Sequence, residues 1–203
     1  MRVTTARRTL LEAPTGSVVM PGLEVDRACL SPKEPASLVM TDFRTGPMIT
    51  TTVGTSIEVA LQQMKLSGAR FAFVIDERGA LMGSVTSYDI QGEEPIRYMQ
   101  SVGWSHTTGA WRDVVVENIM EPLAQWQVLD HAYVARLTIG DLASLMSNAA
   151  RRYLVVTERL KKDDQAWQVR GLFSAARIQF LLGTASASVA PAQTFAELER
   201  EIV

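Results

Sequence analysis

Gly83-Ser-Val-Thr-Ser-Tyr-Asp-Ile90 and Gly171-Leu-Phe-Ser-Ala-Ala-Arg-Ile178 are the two stretches whose reading decides the fold. Each opens on glycine, runs through β-favouring residues and reaches a hydroxyl side chain followed three positions later by a charged one. That is the signature of a strand handing over to a capped helix. Working outward, the same signals precede both. Phe71-Ala-Phe-Val-Ile-Asp76 and Tyr153-Leu-Val-Val-Thr-Glu158 carry apolar runs too short and too β-rich for helices. Before them, Ile57, Ala60, Leu61 and Met64 follow the i, i+3, i+4, i+7 spacing of one helical face, and Ile139, Leu142, Ala143 and Met146 repeat it 82 residues on. Val39-Met-Thr-Asp42 and Asn118-Ile-Met-Glu121 begin the two copies.

The offset between copies is 80 at Met40 and Met120, 82 at Phe71 and Tyr153, and 88 at Gly83 and Gly171. A duplication shifts in this way when insertions fall in loops. The largest increment lies in the polar stretch Arg159-Leu-Lys-Lys-Asp-Asp-Gln-Ala-Trp167, read as an elongated hairpin loop. Thr55 and Glu58 have capping-box spacing at the first helix, and Thr138 with Asp141 is a weaker version one residue out of register. Asp76-Glu-Arg-Gly79 predicts the turn of the first hairpin.

These signals predict a mixed α/β (α+β) fold of two β-α-β-β-α units in one pseudo-twofold module. The first unit spans 39–91 and the second 118–183. A connector, 92–117, carries a helix opened by Glu93, Glu94 and Pro95 and closed by Gly103. Residues 1–38 hold Pro14, Pro21, Pro32 and Pro35 without either period, so they are expected to run extended along the surface or to stay partly disordered. Residues 184–203 form a tail that could be helical.

The composition, 47% hydrophobic and 21% charged over 203 residues, is that of a soluble globular chain. A net charge of -2 gives no pull toward nucleic acid. No apolar run approaches a membrane span, and no secretory leader is read near Arg7 and Arg8. Cys29 is the single cysteine, so an intramolecular disulfide is excluded and a cytoplasmic setting is expected. Dinucleotide, P-loop and serine-hydrolase motifs are absent, and His106 and His131 stand in no catalytic or metal constellation, so the chain is read as a non-enzyme. Trp104, Trp111, Trp126 and Trp167 fall outside the predicted core elements and suggest a packed connector or a protein interface.

From Val39 to Leu182 the motif order resembles the CBS family, the repeat named after cystathionine β-synthase, in a tandem, stand-alone bacterial arrangement. The resemblance implies a regulatory module with two clefts for adenosyl ligands such as AMP, ADP, ATP or S-adenosylmethionine, no obligatory cofactor, homodimerisation and an unknown regulated protein. It places the ligand site on Thr86 and Asp89, the family's Thr/Ser-x-x-Asp pair, where the carboxylate takes the ribose hydroxyls.

That assignment makes chemical sense, because an ionised carboxylate is acceptor-only and can engage both hydroxyls of a cis-diol. The plainer alternative is that Thr86 caps a helix and Asp89 sits in its first turn. In the second copy Ser174 keeps the hydroxyl but Arg177 replaces the acid; a guanidinium cannot accept from a diol, though it could hold phosphate. Arg70 and Arg152 hold matching places before the central strands and are phosphate candidates or ordinary surface residues. Thr50 matches a family threonine that lines base or ribose. Where relatives place proline, this chain has Phe73 and Val155, which alters the expected cleft shape. The competing function is a protein-interaction or structural module with degenerate clefts.

Overall fold

The computed structural model describes residues 30–103, 110–159 and 167–183. In the first half, strand β1 (Thr41–Asp42) and strand β2 (Thr50–Thr52) lead to helix α1 (Ile57–Ser67). The hairpin β3 (Phe71–Ile75) and β4 (Leu81–Thr86) follows, then helix α2 (Ser87–Gln91). Helices α3 (Glu94–Ser101) and α4 (Ala110–Asp113) form the described connector. The second half repeats the order with β5 (Glu121–Pro122), β6 (Val128–Asp130), a short helix α5 (His131–Val134), α6 (Ile139–Asn148), β7 (Tyr153–Arg159), β8 (Trp167–Ser174) and α7 (Ala175–Leu181).

The two predicted helical faces are the buried ones. Ile57, Ala60 and Met64 of α1 and Ile139, Leu142 and Met146 of α6 are all buried to 2% exposure or less. The caps differ from expectation. Ser56, not Thr55, caps α1, accepting from the Val59 amide, while Thr55 pairs its hydroxyl with Thr52. Thr138 and Asp141 form the complete capping box. Ser56 and Thr138 are equivalent positions, but Val59 stands where Asp141 does, so only the second helix has an acid to close the box.

The sheets show an exchange. One has the order β2-β3-β4-β5 and the other β1-β8-β7-β6. Each unit therefore receives its edge strand from the segment that leads into the other: Thr41 and Asp42 pair with Leu172 and Gly171, while Glu121 and Pro122 pair with Ser84 and Gly83. Pro35 and Val115 make matching bridges to Thr138 and Ser56. Close approach explains both glycines. A methyl group at Gly171 would lie 2.7 Å from the Thr41 carbonyl oxygen, and one at Gly83 would collide with the Glu121 carbonyl.

The exchange also changes the reading of the N-terminal segment. Residues 30–38, expected to trail along the surface, are built into the second unit: Leu30 donates to the Leu181 carbonyl, and Ala36 and Val39 are fully buried in its core. The apolar Ala36 and Val39 match Val116 and Ile119, which fill the first core in the same way. Arg159 and Trp167 are paired strand residues and not loop, so the hairpin is longer than predicted; 160–166 lie outside the described residues. The residues 184–203, Trp104, His106 and Cys29 also lie outside them.

A third apolar cluster joins the units. Phe71, Phe73, Val155 and Leu172 are buried together, with Phe43, Trp126 and Tyr153 packed against them. Phe73 has edge contacts to Phe43 and Phe71, with centroids 5.5 and 5.0 Å away, and a tilted one to Trp126 at 5.9 Å. Such offset geometries suit the ring quadrupoles. The positions that depart from the expected proline, Phe73 and Val155, thus lie at the contact between units.

Candidate functional site

Strand β4 ends at Thr86, and the turn into α2 is fixed by a reciprocal box: the Thr86 hydroxyl accepts from the Asp89 amide at 3.2 Å, and Asp89 Oδ2 accepts from the Thr86 amide at 2.8 Å. The capping alternative is thus realised in the structure. It leaves the pair facing an opening, because Thr86 and Asp89 line a cavity of about 610 Å³ between the units. Its lining also takes Arg151 and Arg152 from the turn before β7 and Tyr153, the first residue of that strand. Ser84, Tyr88 and Phe71 complete the near wall, and Glu121, Gln125, Trp126 and Gln127 belong to the segment that crosses over.

The Asp89 carboxyl lies above the usual carboxylate range, chiefly because burial strips water from its charge. The two bonds to Thr86 oppose this, and the negative charges of Glu121 and Glu94 add to it. Burial likewise pushes the Tyr153 phenol up to about 12, with Tyr88 adding to the shift and Arg70 and Arg152 opposing it. Arg151 is ion-paired with Glu121. Arg152 stacks its guanidinium over Tyr88 at 4.2 Å from the ring centroid, and Arg70 donates to the Tyr88 hydroxyl at 3.1 Å. The cavity therefore presents four carboxylates, Asp89, Glu93, Glu94 and Glu121, against two arginines, Arg151 and Arg152, with the aromatic side chains of Phe71, Tyr88, Trp126 and Tyr153 among them.

Ala150, which also lines the cavity, has φ +49°, and it is the one non-glycine with positive φ among the described residues. Its counterpart after α1 is Gly68, φ +66°. Left-handed backbone is where a helix C-terminus favours glycine, so the approach to Arg151 is strained in the second unit and relaxed in the first.

The sequence-derived candidates divide by place. Thr86, Asp89 and Arg152 share the cavity, and Arg70 reaches its edge through Tyr88. Thr50 lines a different cavity. Ser174 accepts from the Arg177 amide at 3.5 Å and caps α7, and neither residue lines either of the two cavities described. The sequence reading leaves Arg151, Glu121 and Tyr88 out of the site and reads Trp126 as part of a packed connector or a protein interface. Arg151 adjoins a named candidate and Tyr88 sits inside the Thr-x-x-Asp motif, but nothing in a single sequence says which way they face. No group of carboxylates and histidines suited to a metal occurs among the described residues, and no described helix is long and apolar enough to cross a membrane.

The CBS domain family model matches residues 38–93. Residues 38–93 are a CBS domain. The second half repeats the β-α-β-β-α order of this CBS domain and trades edge strands with it. No curated protein sequence matches the chain. Among solved structures, an uncharacterized conserved protein from Pyrococcus horikoshii is 18% identical, with 79% of this chain and 98% of that one covered and a TM-score of 0.49. The CBS-pair protein CBSX2 from Arabidopsis thaliana is 19% identical over 71% and 91%, TM-score 0.44, and CBSX2 has also been solved in complex with AMP. The CBS domain pair of protein MJ0100, in complex with 5′-methylthioadenosine and S-adenosyl-L-methionine, is 19% identical over 73% and 95%, TM-score 0.47.

Proposed function

We propose that this chain is a non-catalytic regulatory module that binds one adenosyl ligand, a nucleotide such as AMP, ADP or ATP or a relative such as S-adenosylmethionine, in the cavity between its two repeats. One observation carries the reading: Asp89, in the Thr-x-x-Asp position, lines a cavity whose lining also holds Arg151 and Arg152. The carboxylate can accept from a ribose diol, and the guanidiniums can receive the 5′ substituent's phosphate. Ligand occupancy would bias the packing of the two repeats and so be read by a partner protein. Homodimerisation in the cytoplasm is part of the proposal, supported by the exposed apolar side chains Val59 and Leu66 on α1 and Phe180 on α7.

Calorimetric titration tests the ligand. Asp89→Ala should weaken adenosine or AMP binding roughly ten- to hundredfold, the worth of a charge-assisted hydrogen bond, and should lessen discrimination against 2′-deoxy analogues. Equal binding by wild type and variant would remove the ribose site. The second reading, an interaction module with degenerate clefts, is favoured by Arg177 in the acid's position and by its exposure on α7. It predicts no stabilisation by any adenosyl compound in a thermal-shift screen.

A further inference from the structure

Arg70 and Arg152 hold the same place in the two repeats, immediately before β3 and β7, and their backbones are used alike. The Arg70 carbonyl accepts from the Ser87 amide at 3.0 Å and the Arg152 carbonyl from the Ala175 amide at 2.9 Å. Their side chains break that symmetry. Arg152 crosses to the first repeat and stacks on the Tyr88 ring, whereas the position that would receive Arg70 in the same way is Ala176, which has no ring. Arg70 turns instead to Tyr88 of its own repeat and donates to its hydroxyl. Two symmetry-related cations therefore meet at one phenol, in the lining of the adenosyl cavity.

Neither of them has a carboxylate partner among the described residues. The neighbouring arginines differ: Arg151 is paired with Glu121, and Arg97 holds Glu93 and Glu94. Asp89 does not supply the missing charge, since it accepts from Thr86 and the charges that act on its carboxyl are those of Glu121 and Glu94. Both guanidiniums lie close enough to Tyr153, another lining residue, to oppose the rise of its phenol pKa. A single bond to a phenol, or a ring contact, leaves most of a guanidinium's five N–H donors open. Two cations at one point also repel until an anion joins them. A phosphate, with several charged acceptor oxygens, matches two such forks.

We infer that the ligand is a 5′-phosphorylated adenosine whose phosphate is held jointly by Arg70 of the first repeat and Arg152 of the second. The inference rests on the adenosyl reading of the cavity and narrows it to a nucleotide. Both symmetry-related arginines are spent on one phosphate, so the chain takes one nucleotide, and its phosphate joins the two repeats beside Tyr88.

Calorimetric titration of the full chain with adenosine, AMP and S-adenosylmethionine is the test. AMP is expected to bind at least about tenfold tighter than adenosine, the worth of one charge-assisted hydrogen bond, and tighter than S-adenosylmethionine. Its advantage over adenosine should shrink with added salt. Arg70→Ala and Arg152→Ala should each cut the ratio of AMP to adenosine affinity about fivefold or more, and the double variant should bind the two ligands equally. Arg78→Ala, which removes the same charge from the turn between β3 and β4, should keep the wild-type ratio. Should Arg70→Ala alter the circular dichroism spectrum, Arg70→Lys takes its place; it keeps the charge but loses the fork, and should lower the ratio at least about twofold. Adenosine binding without tighter binding of AMP, or a wild-type ratio in the Arg70 variant, overturns the joint phosphate site and leaves the adenosyl reading standing. Binding of neither compound overturns both.

Discussion

The guanidinium of Arg152 lies over the ring of Tyr88, 4.2 Å from its centroid, and ties the second repeat to the first beside Asp89. Arg70, the equivalent of Arg152, bonds the same tyrosine's hydroxyl. The position matching Tyr88 in the second repeat is Ala176, so both arginines converge on one side. A phosphate entering the cavity competes with the ring for Arg152. Tyr88→Ala should therefore raise the ratio of AMP to adenosine affinity about two- to fivefold, the value of a partly exposed cation–π contact. Calorimetry with both ligands reads the ratio, and an unchanged ratio argues that Arg152 does not meet the phosphate.

Asp89 gives a pH signature. Its carboxyl is raised by burial and by Glu121 and Glu94, so ribose binding should weaken as the pH falls from neutral through that raised value. The same shift has a stability consequence of opposite sign to the familiar one. Ionised, the buried carboxylate costs the native state stability above its folded pKa, and that cost is relieved as the pH falls toward the unfolded value of 3.8. Asp42, held low first by its bond from Arg170, and Asp141, held low by Thr138, act the other way: their stabilisation is present above 3.8 and is lost as the pH falls through their folded values. Urea denaturation across pH should show wild type gaining on Asp89→Asn as acid is added down to about pH 4; a flat difference contradicts the shift.

Ala150→Gly should stabilise the protein by about 1 kcal/mol, because relief of left-handed strain on a Cβ-bearing residue exceeds the added unfolded-state entropy of glycine. Equilibrium unfolding measures it. Gly68→Ala, at the equivalent turn, should destabilise by a similar amount.

Gly171→Ala should cost about 1–3 kcal/mol, the range of overpacking, because the added methyl meets the Thr41 carbonyl and the Met40 side chain. The loss should be largely absent from Gly54→Ala, where a Cβ meets nothing within 4 Å. Thermal denaturation of the two variants separates the effects.

What the sequence made legible was local. The helical faces of α1 and α6 follow from spacing, and β3 and β7 follow from short apolar runs, because period depends on neighbours in the chain. The α1 cap was misread by one residue for the same reason: Thr55 and Glu58 satisfy the box spacing, yet burial of Ile57 sets the register and makes Ser56 the cap. The exchange of β1 and β5 was out of reach, since backbone pairing between distant segments leaves no periodic trace. Thr86, Asp89 and Arg152 were named through family resemblance, and the structure sets them around one cavity. Tyr88, Arg151 and Glu121 were passed over because the facing of a turn residue is decided by packing from the other repeat. Arg159 and Trp167 were read as loop because they are polar or isolated, although hairpin pairing carried them into strands.

The exchanged strands also set an order of assembly. The edge strand of the first sheet joins Ser84 to Glu121, a short reach, and can close while the chain is still being synthesised from its N-terminus. That of the second joins Thr41 to Leu172 and must wait until nearly the whole described chain has emerged, the slow kind of closure that long sequence separation imposes. In the interval Ala36 and Val39 lack their burial partners. Until β8 has been made, the backbone groups of β1 that it will pair with are an open strand edge.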